Sequence, residues 1–279
     1  MAYKSILTIV TSPDQLSQSL EPAIAVARRE GAHLDVLCLG VDRTQTGFYY
    51  AGANAMILQE SLNRAQAEAE ATGQAVAAQM QKEDIPWGSD TAVAQIAGVA
   101  HMVADWARYA DLVVLPRPYG EGRGIEDEAI LEAALFEGGA PVLVVPPAGL
   151  GKDFGHRIVV AWNESPEALA AVRKAMPLLA RATLVDIVVV DPPQHGPERS
   201  DPGGRLGQAI ARHGCRAEVS VLAKTMPRVS DVIRRHIVDR AADMVVMGAY
   251  GHSRFREAIL GGATRNMLES CDVPVLLAH

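Results

Sequence analysis

The chain repeats itself, and that constrains its fold more than any other feature. Ala110-Asp111-Leu112-Val113-Val114-Leu115 returns as Ala242-Asp243-Met244-Val245-Val246-Met247, and Pro141-Val142-Leu143-Val144-Val145 returns as Pro274-Val275-Leu276-Leu277-Ala278. The spacing between the two blocks is nearly kept, at 31 residues in one copy (110 to 141) and 32 in the other (242 to 274). Each copy also opens alike. Ile6-Leu7-Thr8-Ile9-Val10 is followed by Ser12-Pro13, and Ile158-Val159-Val160-Ala161-Trp162 by Ser165-Pro166. Whatever architecture one half adopts, the other must share it, and 279 residues suffice for two domains with separate cores.

Ser-Pro after an apolar run predicts strand, turn, helix: serine caps orphan N–H groups and proline fits the first helical position. Ala168, Val172, Met176 and Leu179 give the helix of the second copy an apolar face at helical spacing. Later apolar runs, at 33–39, 183–190, 112–115 and 244–247 and in the two Pro-Val-Leu segments, do not alternate with polar residues. Strands of that kind are covered on both faces, as in a parallel sheet between helical layers. Helical stretches lie between them, notably 56–82 and 229–240. The expected fold is α/β: two doubly wound, mostly parallel five-stranded-sheet domains in tandem. The expected boundaries are 1–147 and 156–279, joined by a Pro- and Gly-punctuated linker at 146–155.

The second copy carries a glycine-rich loop directly after a strand. Gly248 and Gly251 are separated by Ala249-Tyr250, nine residues then lead to Gly261-Gly262, and a helix is expected to open at Thr264-Arg265. Glycine lets a ligand approach the main chain closely. N–H groups at a helix N-terminus attract anions, and the carboxyl end of a parallel strand is where open α/β sheets bind ligands. This segment resembles the Gly-x2-Gly-x9-Gly-(Ser/Thr) loop of ATP-binding universal stress proteins, and the resemblance extends over both halves. It implies a Rossmann-like fold of the adenine nucleotide alpha hydrolase type and a stress-response protein binding ATP or another adenine nucleotide, with or without magnesium. The nucleotide site it implies takes Gly248, Gly251, Gly261 and Gly262 in the loop, Met247 before it, and Val189, Ala161 and Asn163 near adenine. Ala263 and Thr264 follow the loop, and His252 and Arg254, which can both be cationic, are expected to help hold phosphates, the alternative being a solvated loop. It also implies an intramolecular pseudo-dimer of the two halves, with a homodimer as a further possibility. Two positions depart from the family pattern: Gly262 replaces Ser or Thr, and Asn163 replaces Asp. In the first copy the loop is absent. Pro116 and Tyr119 stand at the first two glycines, and Glu126, Asp127 and Glu128 are expected to repel phosphate.

Other classes are disfavoured. A net charge of -7 without a basic run argues against nucleic acid as main partner. Cys38, Cys215 and Cys271 form no CxxC pair, the eight histidines form no HExxH, and neither GxSxG nor GxxxxGK[ST] occurs. Without an apolar leader or a spanning segment, the protein is expected to be cytoplasmic and off the membrane. No general base or carboxylate pair for a metal is evident, so any ATP hydrolysis is expected to be slow. The alternatives are a protein-interaction module that binds no nucleotide, and a carrier of a small apolar ligand. Phe48-Tyr49-Tyr50 is expected to pack in a core or interface, and His213-Gly214-Cys215 to form an ordinary turn.

Overall fold

A computed structural model of the chain describes residues 2–43, 54–152, 154–192, 200–249 and 262–279. They form two compact units, Ala2–Ala140 and Pro141–His279. Phe48-Tyr49-Tyr50, Gly251, His252, Arg254 and Gly261 lie outside the described residues.

The first unit contains β1 (Ser5–Val10), α1 (Leu16–Glu30), β2 (His33–Asp42), α2 (Asn54–Met80), β3 (Trp87–Gln95), α3 (Val99–Ala107), β4 (Leu112–Pro116) and α4 (Ile125–Glu132). Its strands are parallel in the order β3-β2-β1-β4. The second unit begins with β5 (Val142–Val145) and continues with β6 (Arg157–Ala161), α5 (Pro166–Leu179), β7 (Leu184–Val190) and α6 (Gly204–Ala211). It ends with β8 (Ala217–Leu222), α7 (Val229–Asp239), β9 (Met244–Gly248), α8 (Ala263–Ser270) and β10 (Val275–Ala278). The order here is β5-β10-β9-β6-β7-β8, all parallel except β5, which runs antiparallel to β10. The division thus falls between Ala140 and Pro141, ahead of the linker. It groups β5, the last strand of the first repeat, with the strand that corresponds to it in the second. The fold is the doubly wound α/β class, with helices between parallel strands.

The repeated Ala-Asp pair has a structural cause. Asp111 Oδ2 accepts the N–H groups of Lys4 (2.7 Å) and Ser5 (3.1 Å) at the start of β1. Asp243 likewise accepts those of Gly155 (2.8 Å), His156 (3.1 Å) and Arg157 (2.9 Å) at the start of β6. Each carboxylate satisfies strand-end donors that have no ladder partner. The Ser-Pro signal is realised differently in the two copies. Ser165 caps α5, its Oγ accepting Ala168 N–H at 3.1 Å with Pro166 next in line. Ser12-Pro13 opens only a short 3-10 turn, Pro13–Gln15, without a side-chain cap. The strand after α2 and the strand after α6 (β3 and β8) are sheet edges, and their residues are largely half-buried or exposed. That is why no apolar run marks them. Among the described residues no helix is long and apolar enough to cross a membrane. Cys38, Cys215 and Cys271 are buried free thiols, and burial with a lesser push from Asp90 raises the Cys38 pKa to about 11. His213-Gly214-Cys215 is the turn out of α6, with Gly214 at φ 84°.

Candidate functional site

Because β6, β7, β9 and β10 are parallel, the helices between them start at one end of the second unit, the carboxyl end of its strands. Ala161 and Met247 are register partners at the ends of β6 and β9. Partners in register point to the same face of a sheet. Ala161 is half-buried and Met247 is 7% exposed, so together they floor this end on one face. Val189 is on the other face. The β7 partner of Ala161 is Val188, and a Cβ placed on Gly203 would stand 3.3 Å from Cγ2 of Val189. Ala161 and Met247 therefore come together, and the Val189 side chain is turned away from them.

The turn after β6 is built by Asn163. Its Oδ1 accepts Ser165 N–H at 3.2 Å, a bond that bends the chain into α5. Glu164, in the middle of that turn, has φ 62°. Sequence reasoning passed over this residue, along with Trp162, whose buried indole N–H has no acceptor among the described residues, and Glu167, which has one carboxylate oxygen in the same condition.

Gly248 is required here for a reason other than a ligand. A Cβ on it would lie 2.5 Å from Ala168 N and 2.7 Å from Glu167 C. The end of β9 rests directly on the first turn of α5, where Ser165 caps Ala168. The loop that follows ends at Gly262, the N-cap of α8, with φ -57° and ψ 161° and no side-chain cap. Ala263 is exposed and Thr264 is 4% exposed. The first turn of α8 thus presents its N-terminal field at the carboxyl end of the sheet, and its N-cap, Gly262, has no side-chain oxygen to bond it.

The corresponding end of the first unit is filled. Arg123 Nη1 lies 3.1 Å from Asp127 Oδ1 and 2.9 Å from Gln15 Oε1, and its Nη2 donates to Gln18. The Arg123 and Asp127 side chains are 7% and 9% exposed. Gln15 Nε2 donates to Gly122 O at 3.2 Å, and Asp127 Oδ2 accepts Gly124 N–H at 2.8 Å. Glu126 pairs with Arg43 at 2.6 Å, and Tyr119 donates to Glu128 at 2.9 Å. The acidic run read from the sequence as a repulsive surface is therefore matched by two arginines and a tyrosine hydroxyl. Burial, the largest influence, raises the Asp127 pKa in spite of its partners.

Fold and site together define a repeated doubly wound α/β protein whose second sheet brings Ala161, Met247 and the start of α8 to its carboxyl end. Comparison with known proteins makes this specific. Residues 155–279 match the model of the universal stress protein family. Over 125 residues the chain is 30% identical to universal stress protein Slr1230 of Synechocystis sp. PCC 6803. That match covers 43% of this chain and 41% of the relative, so the chain matches less than half of that protein's length. Among solved structures, a universal stress protein from Archaeoglobus fulgidus DSM 4304 aligns with TM-score 0.74 at 14% identity, covering 98% of this chain and 95% of that one. A functionally unknown protein, PA1789 of Pseudomonas aeruginosa PAO1, aligns with TM-score 0.59 at 16% identity, covering 99% and 92%. At these identities the two structures establish the fold. The second half of the chain, residues 155–279, thus matches the universal stress protein family, and the solved structures extend the likeness of fold to the whole chain.

Proposed function

We propose that the second unit binds an adenine nucleotide, ATP foremost, and that the protein acts as a nucleotide-dependent regulator or adaptor in a stress response. The observation that carries this reading is the uncapped first turn of α8, set at the end of the sheet where Ala161 and Met247 form an apolar floor. Phosphates suit the helix N-terminus and the glycine-rich loop before it, and a purine suits the floor. Asn163 turns one side-chain oxygen into its own backbone and keeps its amide NH2 for a ligand. The proposed role is binding, with any hydrolysis slow. Magnesium, if it accompanies ATP, is brought by the phosphates. The first unit, with Arg123 and its partners across the matching place, is the non-binding half.

Calorimetric titration of the full chain with ATP tests this, and one site per chain is expected. Ala263→Asp is the informative variant. An acidic residue in the first turn favours the helix, so the fold is kept. Its carboxylate sits where phosphate must approach, and at about 4 Å two like charges repel by roughly 1 kcal/mol even in water, so affinity should fall about tenfold or more. Unchanged ATP affinity in Ala263→Asp would remove α8 from the site and favour an interaction module that binds no nucleotide.

A further inference from the structure

The opposite end of the second unit holds a cavity of about 350 Å³. It is formed where Arg157 opens β6, Thr183 and Leu184 lead into β7, Arg216 precedes β8, and Arg240-Ala241 follow α7. Three of its lining residues are arginines, in a chain whose net charge is -7.

Their circumstances differ. Arg240 is fixed: its Nε donates to Asp186 Oδ2 at 3.0 Å and its Nη2 to Glu218 Oε2 at 2.6 Å. Asp186 is held in turn by Ser220 Oγ at 2.7 Å and His236 Nε2 at 2.8 Å. Asp239, the other acid on the wall, faces Arg235 at 3.7 Å. Arg157 has no carboxylate partner among the described residues, and its Nη1 donates to the Arg240 backbone oxygen at 2.9 Å. Arg216 makes no side-chain interaction among the described residues. Arg157 and Arg216 thus line one cavity, with Glu218 and Asp239 also on its wall, and neither guanidinium is paired with a carboxylate among the described residues. At the same end of the first unit Arg28 pairs with Glu83, Arg108 with Asp105 and His33 with Asp35. Ala241, on the cavity wall, holds φ 49°, a conformation that L-residues keep only where their surroundings enforce it.

We propose that this cavity is a second binding site, for a compact dianion, gripped by Arg157 and Arg216 against the fixed wall of Arg240. The planar forks of arginine match carboxylate and phosphate oxygens two at a time. A volume of this size admits a small ligand rather than a polymer. Both a phosphate monoester and a short dicarboxylate present the required chemistry, and neither depends on the glycine-rich loop at the other end.

The test uses inorganic phosphate and succinate as separate probes, titrated into the full chain at constant ionic strength and followed by NMR shifts of the arginine side chains. Saturable binding of at least one probe is expected, and the tighter one identifies the source of the anion. Arg216→Ala should weaken it about tenfold or more without loss of fold, because that side chain supports nothing else. Arg216→Lys should recover only part of the affinity, since it restores charge without the fork. The Ala263→Asp change, which disables the proposed nucleotide site, should leave it intact. Equal saturation in the parent and Arg216→Ala, or no saturation by either probe, would overturn the proposal.

Discussion

Three non-glycine residues among those described hold a positive φ: Glu164, Asp191 and Ala241. All lie in the second unit, two of them at the carboxyl end of its strands and one beside the arginine cavity. The left-handed conformation costs an L-residue about 1–2 kcal/mol, against the extra 0.5–1 kcal/mol of entropy that glycine loses on folding. Glu164→Gly should therefore stabilise the protein by about 0.5–1 kcal/mol, read from the urea midpoint at unchanged slope. A fall in stability would mean that the Glu164 side chain contributes something the backbone does not show. The same scale shows what the residues of the site disclosed before the fold was known. Ala161, Met247 and Val189 were named from the family resemblance. Register places the first two on one face of the sheet, and the two-residue period of a strand puts Val189 on the opposite one. Gly248 was read as space for a ligand, and the space is taken by the first turn of α5. That contact joins residues 80 positions apart (168 to 248), and local sequence cannot reveal it.

At the level of elements, the repeat announced the buried strands and left the edges unread. β4 and β9 are apolar because both faces are covered. β3 and β8 show residues such as Asp90, Thr91, Glu218 and Ser220 because one side of each has no neighbouring strand. The Ala-Asp pair was the clearest part of the repeat, yet its role depends on which strand lies beside it. Asp243→Ala removes the acceptor of three backbone N–H groups, two of which water can reach, and should cost about 2 kcal/mol at neutral pH. The pH dependence has a definite sign. Burial, the largest influence, raises the Asp243 pKa above the ordinary carboxylate range despite those donors. A raised carboxylate pKa contributes stability that is fully present below the unfolded value and is lost as pH rises through the folded one. The deficit of Asp243→Ala should thus be larger in acid, below the ordinary carboxylate pKa, and shrink toward neutrality. Denaturant unfolding of parent and variant across that range measures it. A deficit that grows with pH would show that the N–H donors, and not burial, dominate the site.

Across the whole molecule, one fold has been put to two uses. The units share strand order at their centres, the same Asp bond to the first strand, and helices that start at the carboxyl end of the sheet. They differ in what occupies that end. In the second, α8 begins uncapped; in the first, Arg123 lies between Asp127, Gln15 and Gln18. Gly120, Gly122 and Gly124 lack the spacing of the second copy's glycines, and their backbone bonds to Arg123, Gln15 and Asp127 of the unit's own polar cluster. Arg123→Ala should consequently weaken the first unit without giving it a ligand. Both side chains of the Arg123–Asp127 pair are less than a tenth exposed. Removing one partner of a buried pair costs about 3–5 kcal/mol, because the remaining charge is stranded. Asp127, already raised in pKa by burial, can relieve part of that by taking up a proton, so the loss should be smaller in acid than at neutral pH. Amide exchange should quicken around α4 and the first turn of α1 and stay as in the parent along β6 and β9. ATP stoichiometry should remain one per chain, because Pro116 still lacks an N–H and Glu126 and Glu128 keep their places. A second equivalent site appearing in Arg123→Ala would mean that one side chain alone separates a filled crevice from an open one, and that both halves retain the framework for a nucleotide.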